Sequence, residues 1–318
     1  MKRVTALLMA VMLLFTGCGK NNLPYTGTGF CFDTVVTFSF YGKNAPEAVK
    51  ECLAMGNHYD DLWNKNKAGS DVSLINRSKG TPVEISAETA ELIELALDMA
   101  KRSEGAVSPL IGRVSSLWDF KSDPPALPDE NELNEALKHI DPFGINVSGN
   151  LVTLADPEAS LDLGFIAKGY AADMMKKKAM AMGITSGFIN LGGNVLVIGS
   201  KPDGSDFNIG IKDPSLSSDE PLLSVFVTDE SVVTSGVYER CFFIDDTLYF
   251  HILDTKTGYP VRNNLLSVTV MGPSSALCDA LSTTLFIMGY EDGSSFLTGF
   301  EGYKAIFVTD EGDILKTY

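Results

Sequence analysis

The chain has 318 residues, enough for one large or two small domains with a sizeable core, and its 45% hydrophobic and 21% charged content is that of a globular protein. Acidic residues outnumber basic ones by 41 to 25, a formal net charge of −16 that repels nucleic acid and anionic lipid and excludes both as main partners. The same field opposes any anionic ligand, which would need a local cation or metal in order to bind.

Taken in chain order, Lys2 and Arg3 precede an apolar run of 12 residues, 4–15. That run has the form of a targeting segment and falls well short of the roughly 20 residues that span a bilayer. Residues 29–41 are β-branched and aromatic and predict a strand. Pro46 opens a predicted helix over 46–63, and 69–73 predicts a turn leading into Leu74-Ile75-Asn76. Ser86 is the expected N-cap of an amphipathic helix with Leu92, Ile93, Leu95, Ala96 and Met99 on its apolar face, ended by Gly105. Residues 121–130 carry three prolines and predict a surface excursion before a short helix at 130–138. Alternation over 144–154 around Ser148-Gly149-Asn150 predicts a hairpin, and a helix is expected over 168–182. Short strands follow at 186–198, 206–212, 222–227, 241–252, 265–272 and 303–309, with one helix at 274–288. The mixture predicts an α+β or mixed α/β domain, with no internal repeat.

Cys31, Cys52, Cys241 and Cys278 are widely spaced in apolar contexts with no C-x-x-C, which argues against a zinc cluster and for buried free thiols. The three histidines, His58, His139 and His251, are too few for a histidine-rich metal site.

Four places carry candidate chemistry. Asp162-Leu-Gly-Phe-Ile-Ala-Lys-Gly-Tyr170 feeds a helix N-terminus where backbone N–H groups and Lys168 suit a phosphate; a capped helix with a surface lysine reads equally well. In 274–289, Asp279 and Thr283 lie four apart and off the expected core stripe of Leu277, Leu281, Leu285 and Met288. Carboxylate and hydroxyl on one face suit Mg2+, or are simply a solvated face. His251, at a strand end, suits a general base or a structural role. Thr234-Ser-Gly-Val-Tyr-Glu-Arg240 is a glycine-centred turn that lines a pocket or joins two strands.

Two resemblances give these places meaning. Thr16-Gly17-Cys18 after the apolar run resembles the lipobox of bacterial lipoproteins, with Phe15 where leucine is usual. It implies a signal peptide over 1–17, a lipid on Cys18, a tether over 18–26, and residence on the extracytoplasmic face of the cell membrane; a cleaved signal with a chance cysteine is the alternative. The four motifs in order, joined by Leu-Gly-Gly-Asn (191–194), His-Ile-x-Asp-x-x-Thr-Gly-Tyr-Pro-Val (251–261), Asp-Ala-Leu-Ser-Thr (279–283), Ser108-Pro-Leu and Leu-Trp-Asp-Phe (117–120), closely resemble the ApbE family of FAD:protein FMN transferases. The resemblance implies a single α+β catalytic unit over 27–318, T-fold-related, with largely antiparallel sheets packed against helices. It implies Mg2+ held by Asp279, Thr283 and the main-chain carbonyl of Phe165. It carries FAD contacts to Asp162 and Lys168, and to Ser108 and Leu253. Phe32 stands where the family has methionine, and Asn66 near a stacking aromatic whose place Trp63 would take. With His251 as base, FMN would pass from FAD to a threonine or serine of an acceptor protein, a membrane redox subunit or surface lipoprotein, releasing AMP. An FAD pyrophosphatase, a non-catalytic flavin-binding lipoprotein and a solute-binding lipoprotein are the competing readings.

Overall fold

The aromatic, β-branched run near the start of the domain reverses on itself. In the computed structural model, which describes residues 23–215 and 220–318, β1 (Tyr25–Cys31) and β2 (Thr34–Phe40) pair as an antiparallel hairpin closed by Phe32 and Asp33. Both turn residues have positive φ, 53° and 59°, the mirror-image turn whose twist matches the flanking strands. The single strand expected over 29–41 missed this reversal because no glycine or asparagine marks the turn. Tyr25 and Thr26 already pair with Phe40 and Ser39, so the expected tether ends before residue 25. The expected signal segment and Cys18 lie outside the described residues.

The hairpin begins an eight-stranded sheet in which spatial order follows chain order and every neighbouring pair is antiparallel. After β1 and β2 come β3 (Gly187–Leu191), β4 (Asn194–Ile198), β5 (Ser231–Gly236), β6 (Leu265–Gly272), β7 (Lys304–Thr309) and β8 (Ile314–Lys316). The run 186–198 is therefore two strands, turned by Gly192 and Gly193 at φ 64° and 90°. A Cβ on Gly192 would stand 2.4 Å from Thr34 Oγ1, so this turn needs glycine for space as well as for φ. β5 sits in the middle of the sheet where the sequence suggested only a turn from Thr234; Thr234 and Ser235 break the apolar pattern that Val232 and Val233 begin.

Seven helices are described: α1 (Ala45–Trp63), α2 (Asp71–Arg77), α3 (Ala87–Arg102), α4 (Gly112–Ser115), α5 (Glu130–Ala136), α6 (Ala167–Ala181) and α7 (Ser275–Leu297). The turn expected at 69–73 is the start of α2, whose N-cap Ser70 accepts from the Ser73 N–H. α1, α6 and α7 pack on one face of the sheet around Phe38, Phe40, Tyr170, Met175, Leu285 and Phe307. A hairpin of Phe207–Lys212 and Pro221–Val227 covers the other face, seating Phe207, Ile211, Val225 and Val227 on Val197, Val232, Met271 and Ile306. The architecture is α+β with antiparallel sheets, as expected. The cysteines Cys31, Cys52 and Cys278 are buried free thiols and Cys241 is a half-buried one; burial pushes Cys31 up to about 11 and Cys52 up to about 12.

α6 and α7 approach closely, because a Cβ on Gly169 would lie 2.2 Å from the Ser275 carbonyl oxygen. Asp173 of α6 accepts from the N–H groups of Ser275 (2.9 Å) and Ala276 (3.0 Å) and from Ser274 Oγ (2.8 Å), capping α7. α7 breaks at Gly289 (φ 79°), one residue beyond the predicted helix end. This staple fixes the start of α7, which carries Asp279 in its second turn and Thr283 in its third.

Candidate active site

The N-terminal turn of α6, the buried face of α7, the end of β5, the loop after α1 and the residues following a small hairpin (Cys241–Ile244 with Thr247–Phe250) meet around a cleft of about 450 Å3. Every described residue singled out from the sequence lines it: Phe32, Trp63, Asn66, Ser108, Asp162, Phe165, Lys168, His251, Leu253, Asp279 and Thr283.

α7 is buried on nearly all sides, with Leu277 and Met288 of the expected stripe only half-buried, so the Asp279–Thr283 face is a cleft wall and not a solvated surface. Asp279 is 4% exposed and accepts the Gly169 N–H at Oδ2, 2.8 Å. Among the described residues it has no ion-pair partner. Burial pushes its pKa up to about 6 and Glu239 adds to that push, against Lys168, the Gly169 N–H and the Asn194 amide. Thr283 Oγ1 lies 3.1 Å from Ser235 Oγ. A buried, undercompensated carboxylate beside a hydroxyl, with the Phe165 backbone on the same cleft, is a hard-oxygen donor set that fits Mg2+.

The carboxylate at the other wall is handled differently. Asp162 accepts from Lys65 Nζ (2.9 Å), Ser115 Oγ (2.8 Å) and the Gly164 N–H (3.0 Å). Burial alone would raise its pKa, but Lys65, Ser115 and Gly164 together outweigh burial and hold it below the ordinary value.

His251 is half-buried; its Nδ1 is buried without a hydrogen-bond partner and its Nε2 lies 3.9 Å from Glu239 Oε2. Burial, then the charges of Lys168 and Arg240, drive its pKa down to about 3 against an opposing backbone interaction at Arg240, so it is neutral at physiological pH. Trp63 is 5% exposed, layered with Tyr59 (4.5 Å, 6°) and Phe32 (6.4 Å, 17°), and its Nε1–H donates to Thr89 Oγ1. It therefore backs Phe32 and has little free face to offer a ligand ring. Ser108 is also committed inside the fold, donating to the Ile140 carbonyl and accepting the Leu110 N–H.

The ApbE family profile matches residues 32–307. The chain belongs to the ApbE family. An FAD:protein FMN transferase of Klebsiella pneumoniae (strain 342) is 36% identical over 299 residues, covering 93% of this chain and 92% of the relative. One of Treponema pallidum (strain Nichols) is 35% identical over 277 residues, 82% of this chain and 76% of the relative. The solved ApbE protein of Thermotoga maritima superposes with a TM-score of 0.86 at 31% identity, covering 92% of this chain and 96% of that one.

The ApbE cleft also holds residues that the sequence did not single out: Lys65, Lys121, Glu239, Arg240 and Asp33. Lys65 sits in Asn64-Lys-Asn-Lys67, which has the look of solvated charge, and only the return of Asp162 reveals its role. Arg240 ends the glycine-centred segment Thr234–Arg240. Of the four cations lining the cleft, Lys65 pairs with Asp162, and Lys121 and Arg240 approach Asp33 at 3.2 and 3.9 Å. Lys168 alone has no ion-pair partner within 4 Å among the described residues.

Proposed function

We propose that this ApbE-family chain transfers the FMN half of FAD to a threonine or serine hydroxyl of an acceptor protein, with Mg2+, releasing AMP. The observation that carries the reading is one cleft holding a buried carboxylate, a lysine with no ion-pair partner among the described residues and a neutral histidine: Asp279, Lys168 and His251. Simple flavin storage needs no such set.

Asp279, Thr283 and the Phe165 carbonyl would hold Mg2+, which supplies positive charge against the pyrophosphate. Lys168 has its charge free for phosphate oxygens, which the acidic surface would otherwise repel. His251 takes the proton of the acceptor hydroxyl as its oxygen bonds to the phosphorus of the FMN half; the phosphorus–oxygen bond to AMP breaks and AMP leaves with the bonding pair. Burial first, and then Lys168 and Arg240, keep His251 neutral, and Lys168 is the cation an anionic substrate would engage. Substrate binding thus removes part of the push on its pKa and strengthens the base.

The reading includes location. A lipid on Cys18 would hold the domain on the outer face of the cytoplasmic membrane, where FAD and an acceptor such as a membrane redox subunit or another lipoprotein must be present. The apolar run at 4–15 followed by Thr16-Gly17-Cys18 supports it. Cys18→Ser in the full chain is expected to move the protein out of the membrane fraction.

The deciding experiment incubates the protein with FAD, Mg2+ and a candidate acceptor. Acceptor gaining the mass of FMN, with free AMP, is expected. AMP without labelled acceptor makes the chain an FAD pyrophosphatase, and neither product makes it a binding protein.

A further inference from the structure

The functional reading leaves Lys65 without a task, although it lies inside the cleft with only 19% of its side chain exposed. An ammonium has three N–H donors. In Lys65 all three have an acceptor: Asp162 Oδ2 at 2.9 Å, Ser115 Oγ at 2.6 Å and Ser116 Oγ at 3.1 Å. Lys65 therefore has no donor left for a ligand, in contrast to Lys168. Its effect on any ligand passes through Asp162.

The carboxylate can be counted the same way. Two oxygens offer about four acceptor sites. On Oδ2, Ser115 Oγ and Lys65 fill both; on Oδ1, the Gly164 N–H fills one. One site on Oδ1 is left, on a residue that lines the cleft. Three separate segments (the loop after α1, the end of α4 and the approach to α6) converge to produce that single site. What it can bind is a hydrogen-bond donor; a phosphate oxygen brought against it would meet a like charge with no proton between.

We propose that Lys65 is a positioning residue that fixes Asp162 as an acceptor for an N–H or O–H group of the ring or sugar portions of FAD. This rests on the FAD reading above. It divides the cleft into a donor-recognising wall at Asp162 and a phosphate end at Lys168 and Asp279. Lys65 also offsets the charge that Asp162 would otherwise set against an anionic ligand in the same cleft.

The test is FAD binding to the whole protein by flavin fluorescence, with thermal melting alongside. Lys65→Met leaves Asp162 uncompensated and is expected to weaken FAD binding by at least about tenfold, the effect of one charge-assisted hydrogen bond. The double variant Lys65→Met/Asp162→Asn keeps the Oδ1 acceptor without its charge and is expected to return to within about threefold of wild type. Lys65→Met that binds FAD like wild type, with only its melting temperature lowered, makes the pair structural and overturns the proposal. Should Lys65→Met fail to fold, the double variant decides, and binding there at least about tenfold weaker than wild type overturns it equally. Wild-type protein that binds no FAD would instead sink the functional reading itself. Free AMP and free FMN as competing probes then tell which half of FAD meets Asp162: the half whose affinity falls in Lys65→Met.

Discussion

Asp162 and Asp279 are both largely enclosed carboxylates on one cleft, and the protein treats them in opposite ways. Asp162 has a lysine, a hydroxyl and a backbone N–H on it, and is held below the ordinary carboxylate pKa. Asp279 has the Gly169 N–H and the Asn194 amide but no ion-pair partner among the described residues, and burial pushes it up to about 6. Burial costs both; only one is compensated by the chain itself. A buried carboxylate with few partners among the described residues fits the divalent cation proposed for it.

That contrast is broken most severely by Asp279→Ala. It is expected to lower Mg2+-dependent flavin transfer by at least about a hundredfold, read as acceptor mass gain, because metal charge contributes several kcal/mol to such steps. Undiminished transfer would remove the metal from Asp279. His251→Asn should come next, with FAD binding retained and transfer reduced about a hundredfold, the lower end of general-base effects. An unchanged rate takes His251 out of the mechanism.

The smaller effects concern stability and have opposite signs at the two walls. With its folded pKa at about 6, above the ordinary value of about 3.9, Asp279 makes the metal-free fold bind more protons than the unfolded chain between those two values. Stability therefore falls as pH rises through that window and the loss is complete above it. Asp279→Asn should remove the penalty, raising metal-free stability at pH 7 by on the order of 3 kcal/mol, with the gain nearly gone by pH 4. Asp162 runs the other way: its folded pKa is depressed, so its stabilisation is present above the ordinary carboxylate value and lost as pH falls through the folded one. Asp162→Asn should accordingly lower the melting temperature at pH 7 by a few degrees, about 1 kcal/mol, and make little difference in acid. Melting curves of both variants at pH 4 and 7, with and without Mg2+, read the pair together. Equal behaviour of the two would dissolve the comparison.

Much of this protein was settled by its sequence. The amphipathic helices α1 and α3, α7 as far as residue 288, most of the short strands and the α+β class follow from local periodicity and caps, which act over a few residues; the continuation of α7 past Gly289 to Leu297 does not. Asp162, Lys168, His251, Asp279 and Thr283 were legible as candidates only through the family motifs in which they stand, since their types and spacing alone left structural readings open; the fold brings all five to one cleft. The tertiary structure decided what depends on approach from a distance. It made Phe32 and Asp33 a turn with no glycine to announce it, placed β5 at the centre of the sheet despite Thr234 and Ser235, and buried an Asp-Thr face that a helical wheel leaves in solvent. It also joined Lys65 to Asp162 across 97 positions, and left Asp279 and Lys168 without ion-pair partners among the described residues. Which charges are compensated is a property of packing, since an ion pair forms only where the fold brings two segments within about 4 Å, and no local pattern records that.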